Sequence, residues 1–160
     1  MSRVRGHGIA LEVPAGWEVR IAAPAAVVAG AAADPDGPEP ERRALVHAGN
    51  FPLPEERGAF GSGAVERMGR GDVFIGLIEY DRASAGTALF AARGVPHALR
   101  PSDFDPKTMQ RPIAGQSGVQ RFFTEGGRAF CLYAVLGSHR ARPALVPVLN
   151  QVLTTIEISA

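Results

Sequence analysis

The run Phe130-Cys131-Leu132-Tyr133-Ala134-Val135-Leu136 contains no charged residue and follows Gly126-Gly127, which closes an earlier apolar stretch from Gly118. At a period of two, Phe130, Leu132, Ala134 and Leu136 point one way, and Cys131, Tyr133 and Val135 the other. A strand with two apolar faces sits in a sheet covered on both sides. Gly126-Gly127 suits a two-residue hairpin turn whose central positions both take positive φ. The chain must therefore supply two layers of cover, and most of its other segments are read for how they provide them.

Asp72–Asp81 repeats the pattern, with Val73, Ile75 and Leu77 on one side and Phe74, Ile78 and Tyr80 on the other. Ala44–Phe51 reads as a strand carrying Leu45, His47, Gly49 and Phe51 on one face and Ala44, Val46, Ala48 and Asn50 on the other; Pro52-Leu53-Pro54 stops it. Near the start, Ile9, Leu11 and Val13 alternate with Ala10 and Glu12. After Pro14-Ala15-Gly16, Trp17, Val19 and Ile21 alternate with Glu18 and Arg20. This predicts a half-wet hairpin across Pro-Ala-Gly, with Trp17 as a core anchor in preference to an exposed binding aromatic. Leu145, Leu149, Val152 and Ile156 form the stripe of an amphipathic helix that begins between Ala144 and Pro147. Thr154–Ile158 then forms a short edge strand.

Two stretches resist assignment. From Ala23 to Arg43 an alanine-rich segment gives way to Asp-Pro-Asp-Gly-Pro-Glu-Pro, which predicts a flexible loop over about 23–43, with room for a short helix at Ala25–Ala33. Between Ser84 and Gln116, Gly and Pro recur every few residues. Short helical turns near Ala88–Ala92 and Pro101–Phe104, pinned by Leu89, Phe90, Leu99, Phe104 and Met109, make this segment a cover over the sheet. Ser62–Met68 adds a further short helix. Short turns between consecutive strands argue against a doubly wound parallel sheet. The expected fold is one α+β domain over 1–160, a mainly antiparallel sheet covered by helices.

A net charge of +1 gives no reason to expect nucleic acid. No run is long enough to span a bilayer as a helix. One cysteine, Cys131, rules out an internal disulfide, and the charged Met1–Gly8 stretch lacks a following apolar core for a secretory leader. A cytoplasmic location with no membrane partner is the expectation. Lys107 is the single lysine among 17 basic residues. Scattered among acids, the arginines read as coding bias more than as phosphate forks.

Chemistry-bearing motifs are sparse. His7, His47, His97 and His139 have no ligand spacing, so no metal is predicted; His47 reads as a hydrogen-bonded strand residue. Cys131 reads as a buried, inert thiol. Gly61-Ser62-Gly63 fails the nucleophile-elbow pattern at Phe60 and Ala64. Glu79 and Asp81 could form an acid–base pair but read as a wet strand end. Neither Gly6-His7-Gly8 nor Gly58–Gly63 has the strand–loop–helix setting of a phosphate loop. Arg121-Phe122-Phe123 reads as core packing and not as a base-stacking surface. No cofactor is predicted.

The opening Gly8–Trp17, Gly-Ile-Ala-Leu-Glu-Val-Pro-Ala-Gly-Trp, resembles the start of the PsbP/Mog-like superfamily. The close is similar too, with Gly127–Phe130 followed by a helix and a β-branched tail. His47–Pro54 and Gln120–Phe123 look like a bacterial subgroup of unknown function. The resemblance implies an antiparallel sheet sandwiched by helices, an α/β/α sandwich, in accessory proteins that bind other proteins. The expected function is a non-catalytic protein-binding adaptor or chaperone-like module. Phe51, Phe60 and Phe104, in Pro/Gly-rich loops, are the candidate partner-binding residues, weighed against roles as plugs of the core edge. The rival reading is an enzyme or small-ligand binder with a pocket under 84–116, which a set of three or more titratable side chains in one pocket would favour.

Overall fold

The computed structural model describes residues 1–24 and 42–160, so the loop expected over 23–43 and the helix at Ala25–Ala33 lie, but for the loop's ends, outside the described residues. Among the described residues eight strands form two antiparallel sheets. The smaller contains β1 (Ser2–Gly6), β2 (Ile9–Val13) and β8 (Glu157–Ile158), in the order β1-β2-β8. The larger contains β3 (Glu18–Ala22), β4 (Leu45–Gly49), β5 (Val73–Glu79), β6 (Ser117–Glu125) and β7 (Arg128–Leu136), in the order β3-β4-β5-β7-β6. One α-helix, α1 (Arg142–Leu153), occurs among the described residues.

The main core lies between the sheets and α1. Val46 and Ala48 of β4, Val73, Ile75 and Leu77 of β5, and Phe130, Leu132, Ala134 and Leu136 of β7 meet Ile9, Leu11 and Val13 of β2 and Leu145, Leu149 and Val152 of α1. The predicted face assignments of β5 and β7 hold, because strict alternation leaves no other choice once one face is buried. Gly126 and Gly127 take φ of 59° and 73° in the β6–β7 turn, as both central positions of a type I′ turn require.

The helix-covered α/β/α sandwich is overturned: this is a mainly-β protein with two antiparallel sheets. One face of the larger sheet is covered by the second sheet together with α1. The other face packs a separate cluster, Phe51, Leu53, Ala64, Val65, Phe74, Met109, Tyr133 and Val135, supplied from its outer side by loops and 3₁₀ turns. Two apolar strand faces require cover but do not specify helical cover. Pro52, Pro54, Gly58, Gly61 and Gly63 break the covering segment into turns.

The predicted hairpin across Pro14-Ala15-Gly16 does not form. β2 and β3 enter different sheets there, and β2 pairs instead with β1 through a His7–Gly8 turn. His7 has φ of 51° and Gly8 of 77°, a left-handed pair that fits a two-residue turn. The helix also departs from expectation by starting at Arg142 and carrying Pro147 in its interior. Five buried side chains, Leu145, Val146, Leu149, Val152 and Leu153, outweigh the one hydrogen bond that Pro147 cannot donate. From Ser84 to Gln116 the cover is four-fifths as expected in anchors: Phe90, Leu99, Phe104 and Met109 are buried, whereas Leu89 is 60% exposed.

Candidate functional site

Across the larger sheet, Arg20, His47, Gly76, Tyr133 and Gln120 fall in one row on the face away from the main core. Tyr133 therefore stands near the middle of that face, on the fully buried strand β7. Two loops close over it. The first, between β4 and β5, is held by a histidine: Arg57 Nε donates to His47 Nδ1 at 2.9 Å, so the ring proton resides on Nε2 and is donated to the Ala59 carbonyl at 2.9 Å. Arg57 also donates to the Pro54 carbonyl. The Leu53 N–H donates to Glu18 Oε2 at 2.9 Å, tying the same loop to β3.

Gly61, at φ of 83°, lets this loop lie on the Phe74 ring; a Cβ there would stand 2.6 Å from ring carbons. The second loop, Met109–Ile113, is fixed by the Gln110 N–H donating to the Tyr133 hydroxyl at 2.9 Å. Gln116 Nε2 joins the loops by donating to the Val65 carbonyl at 2.8 Å.

Between them lies a cleft of about 300 Å³ with Tyr133 as its floor and Phe60, Val65 and Met109 as apolar walls. Phe60 is half-buried and meets the Tyr133 ring edge-on, centroids 5.4 Å apart at 77°. Exposed Glu66 and Arg111 also line the cleft. Burial pushes the Tyr133 phenol above its ordinary range, so it stays protonated. Its oxygen already accepts from Gln110, which leaves the O–H free to donate into the cleft.

The structure separates the three candidate aromatics. Phe60 lines the cleft. Phe51 is buried in the cluster beneath it, and Phe104 is buried in the main core across the sheet. Tyr133, Val65, Glu66, Met109, Gln110 and Arg111, which also line the cleft, are not among the partner-binding residues expected from the sequence. The available signal was a tyrosine on an otherwise apolar strand face, since a buried hydroxyl requires a partner from the covering loop.

Ser62 of Gly61-Ser62-Gly63 lines the cleft and is exposed, whereas several other residues weighed for chemistry have partners within the fold. Among the described residues, no group of three His, Cys, Asp or Glu side chains is placed to hold a metal. The buried Cys131 thiol is pushed up to about 11 by desolvation. Glu79 is not a wet strand end: it is buried in a fork with Arg128, and Asp81 caps the 3₁₀ turn Arg82–Ser84. Arg121 pairs with Asp103 at 3.2 Å, and Phe123 is buried.

His47 gives a testable consequence. Burial lowers its pKa below the ordinary 6.5, and the Arg57 cation against Nδ1 works in the same direction, while the bond to Ala59 opposes them. A lowered folded-state pKa means that the neutral ring supports the fold above the unfolded value of about 6.5. That support is lost as pH falls toward the folded value. Amide protection of Gly61, Ala64 and Val65 is expected to fall several-fold between pH 7.5 and 5.5 by hydrogen exchange corrected for intrinsic rates. His47→Leu is expected to lower it already at pH 7.5. Unchanged protection across that range would show that the imidazole does not hold the loop.

No helix among the described residues is long and apolar enough to cross a membrane. In comparisons with known proteins, the chain matches no protein family, no curated protein and no solved structure.

Proposed function

We propose that this protein is a non-catalytic binding module that receives one apolar or aromatic side chain of a partner protein in the cleft above Tyr133. The observation that carries this reading is the cleft itself: an aromatic floor with one free hydroxyl donor, apolar walls, and opposite charges at Glu66 and Arg111. Its volume of about 300 Å³ stands at the lower limit for small-molecule sites and suits a single anchoring side chain. Three ionisable side chains line it, the number that would favour an enzyme, but their states do not suit acid–base work. Glu66 accepts from the Gly63 N–H at 2.6 Å, the Arg111 guanidinium has only N–H donors and no acceptor, and Tyr133 is held as a neutral phenol.

Panning a displayed peptide library on the immobilised protein tests this reading. Enriched peptides are expected to share one aromatic or large aliphatic residue, with an acidic neighbour facing Arg111. Phe60→Ala is expected to weaken the selected peptides about tenfold, equivalent to about 1.4 kcal/mol. Arg111→Ala is expected to relax the acidic preference. A selection without a shared apolar position, or peptides that bind Phe60→Ala as tightly as the parent, would remove the cleft from the account.

A further inference from the structure

A second cleft, of about 700 Å³, opens where β7 passes into α1. Its walls are three backbone segments held together by main-chain bonds. The Gly137 N–H donates to the Asp72 carbonyl at 2.8 Å, and the His139 N–H to the Gly115 carbonyl at 2.7 Å. The 69–72 turn closes on itself through the Asp72 N–H to the Gly69 carbonyl, and Asp72 Oδ2 accepts from the Gly69 N–H at 2.7 Å.

Arg70 lines the cleft from the 69–72 turn and Arg140 from the segment leading into α1. Both are exposed, and neither has a hydrogen bond or ion pair among the described residues. Among the described residues no acidic side chain lines the cleft, and the first turn of α1 carries none. Asp72, the acid beside Arg70 in sequence, has one carboxylate oxygen engaged by its own turn. Ser138 Oγ accepts from the Ala141 N–H at 3.2 Å, leaving its proton for a ligand.

We propose that this cleft is an anion site for a phosphoryl group. Arg70 and Arg140 are its two forks and the Ser138 hydroxyl is a neutral donor. Two guanidinium groups on separate segments can each meet a pair of phosphate oxygens, which a single carboxylate cannot satisfy from both sides. The group reaches the cleft either as a free inorganic anion or attached to a phosphorylated peptide. The site is independent of the cleft above Tyr133, because different residues form it.

The full chain is titrated with inorganic pyrophosphate and, in parallel, with a phosphoserine pentapeptide, each against sodium chloride of equal ionic strength. Thermal unfolding and amide NMR are the readouts. At least one probe is expected to raise the unfolding midpoint and to shift the amides of Arg70, Gly115 and Ser138. The better of the two identifies the source of the phosphoryl group. Arg70→Gln/Arg140→Gln is expected to keep the parent midpoint without ligand and to bind at least tenfold more weakly. Arg5→Gln/Arg93→Gln, which removes arginines elsewhere, is expected to bind like the parent. Neither probe acting beyond sodium chloride would overturn the proposal, as would equal binding by Arg70→Gln/Arg140→Gln. Shifts in the parent protein that avoid Arg70, Gly115 and Ser138 would overturn it even if the variant failed to fold.

Discussion

Glu79→Ala is expected to destabilise the protein by about 3–5 kcal/mol in urea unfolding, the usual penalty for breaking a buried ion pair from one side. Arg128 Nε and Nη2 donate to the two Glu79 oxygens at 2.8 and 2.9 Å, with both side chains almost wholly buried. The remaining polar atoms are also engaged. The Ala44 N–H donates to Glu79 Oε1 at 2.8 Å, and Arg128 Nη1 donates to the carbonyls of His7 and Ser159 at 3.0 and 3.1 Å. One ion pair thus joins β5 and β7 to the approach to β4, the β1–β2 turn and the chain beyond β8. Alanine at 79 leaves the guanidinium buried without its counter-charge, and the carbonyls of His7 and Ser159 cannot neutralise it. Glu79→Leu/Arg128→Met removes both charges and is expected to lose less than the sum of the single variants. A coupling near zero in that double-mutant cycle would show that the pair acts only as two separate hydrogen-bonding groups.

The same pair shapes acid unfolding. Burial alone would raise the Glu79 pKa, but the Arg128 fork and the Ala44 N–H outweigh it and hold the carboxyl below its ordinary value of 4.5. A lowered carboxyl pKa contributes stability that is fully present above the unfolded value, about 4.3, and is lost as pH falls through the folded value. His47 acts in a higher window, so stability is expected to decline in two stages. The loop over Tyr133 loosens below about pH 6.5, and the sheet-to-sheet clasp gives way below the ordinary carboxylate range. Glu79→Ala is expected to flatten the lower stage and leave the upper one.

What the sequence disclosed follows from how locally each feature is determined. β5 and β7 were legible because their alternating apolar residues admit one register of faces. The Gly126-Gly127 turn was legible because two adjacent glycines between apolar runs have few other uses. The partner of β2 was not. Ile9–Val13 could pair across Pro14-Ala15-Gly16 or across His7-Gly8, and both satisfy the same alternation. Nothing local tells a hairpin from a chain that changes sheets. Glu79 likewise looked like the end of a wet strand, because Arg128 lies far along the chain and only the β5–β7 register brings them together. The cleft above Tyr133 was half legible. Phe60 was singled out for being an aromatic in a glycine-rich loop, but Phe51 and Phe104 satisfy the same description and are buried. Only the way that the loops close decides which aromatic remains accessible.

Gly137→Ala is expected to lose about 3 kcal/mol, the upper end of what overpacking brings. A Cβ at this position would stand 1.8 Å from the Gly69 carbonyl oxygen and 3.1 Å from that of Asp72. Both obstacles are backbone, so no side-chain rotation relieves them. The 69–72 turn must move away from the end of β7, breaking the 2.8 Å bond from the Gly137 N–H to the Asp72 carbonyl. Gly71→Ala in the same turn is the control. A Cβ there meets nothing within 4 Å and its φ is not in the left-handed region, so it is expected to be neutral or stabilising by about 0.5 kcal/mol. Urea unfolding compares the two, and amide NMR of Gly69–Asp72 reports whether the turn has detached. Equal stability of the two variants would show that the approach of Gly69 to Gly137 is slack enough to yield at no cost. A large loss confined to Gly137→Ala would show that the turn is packed rigidly on the strand, and with it the wall that carries Arg70 opposite Ser138.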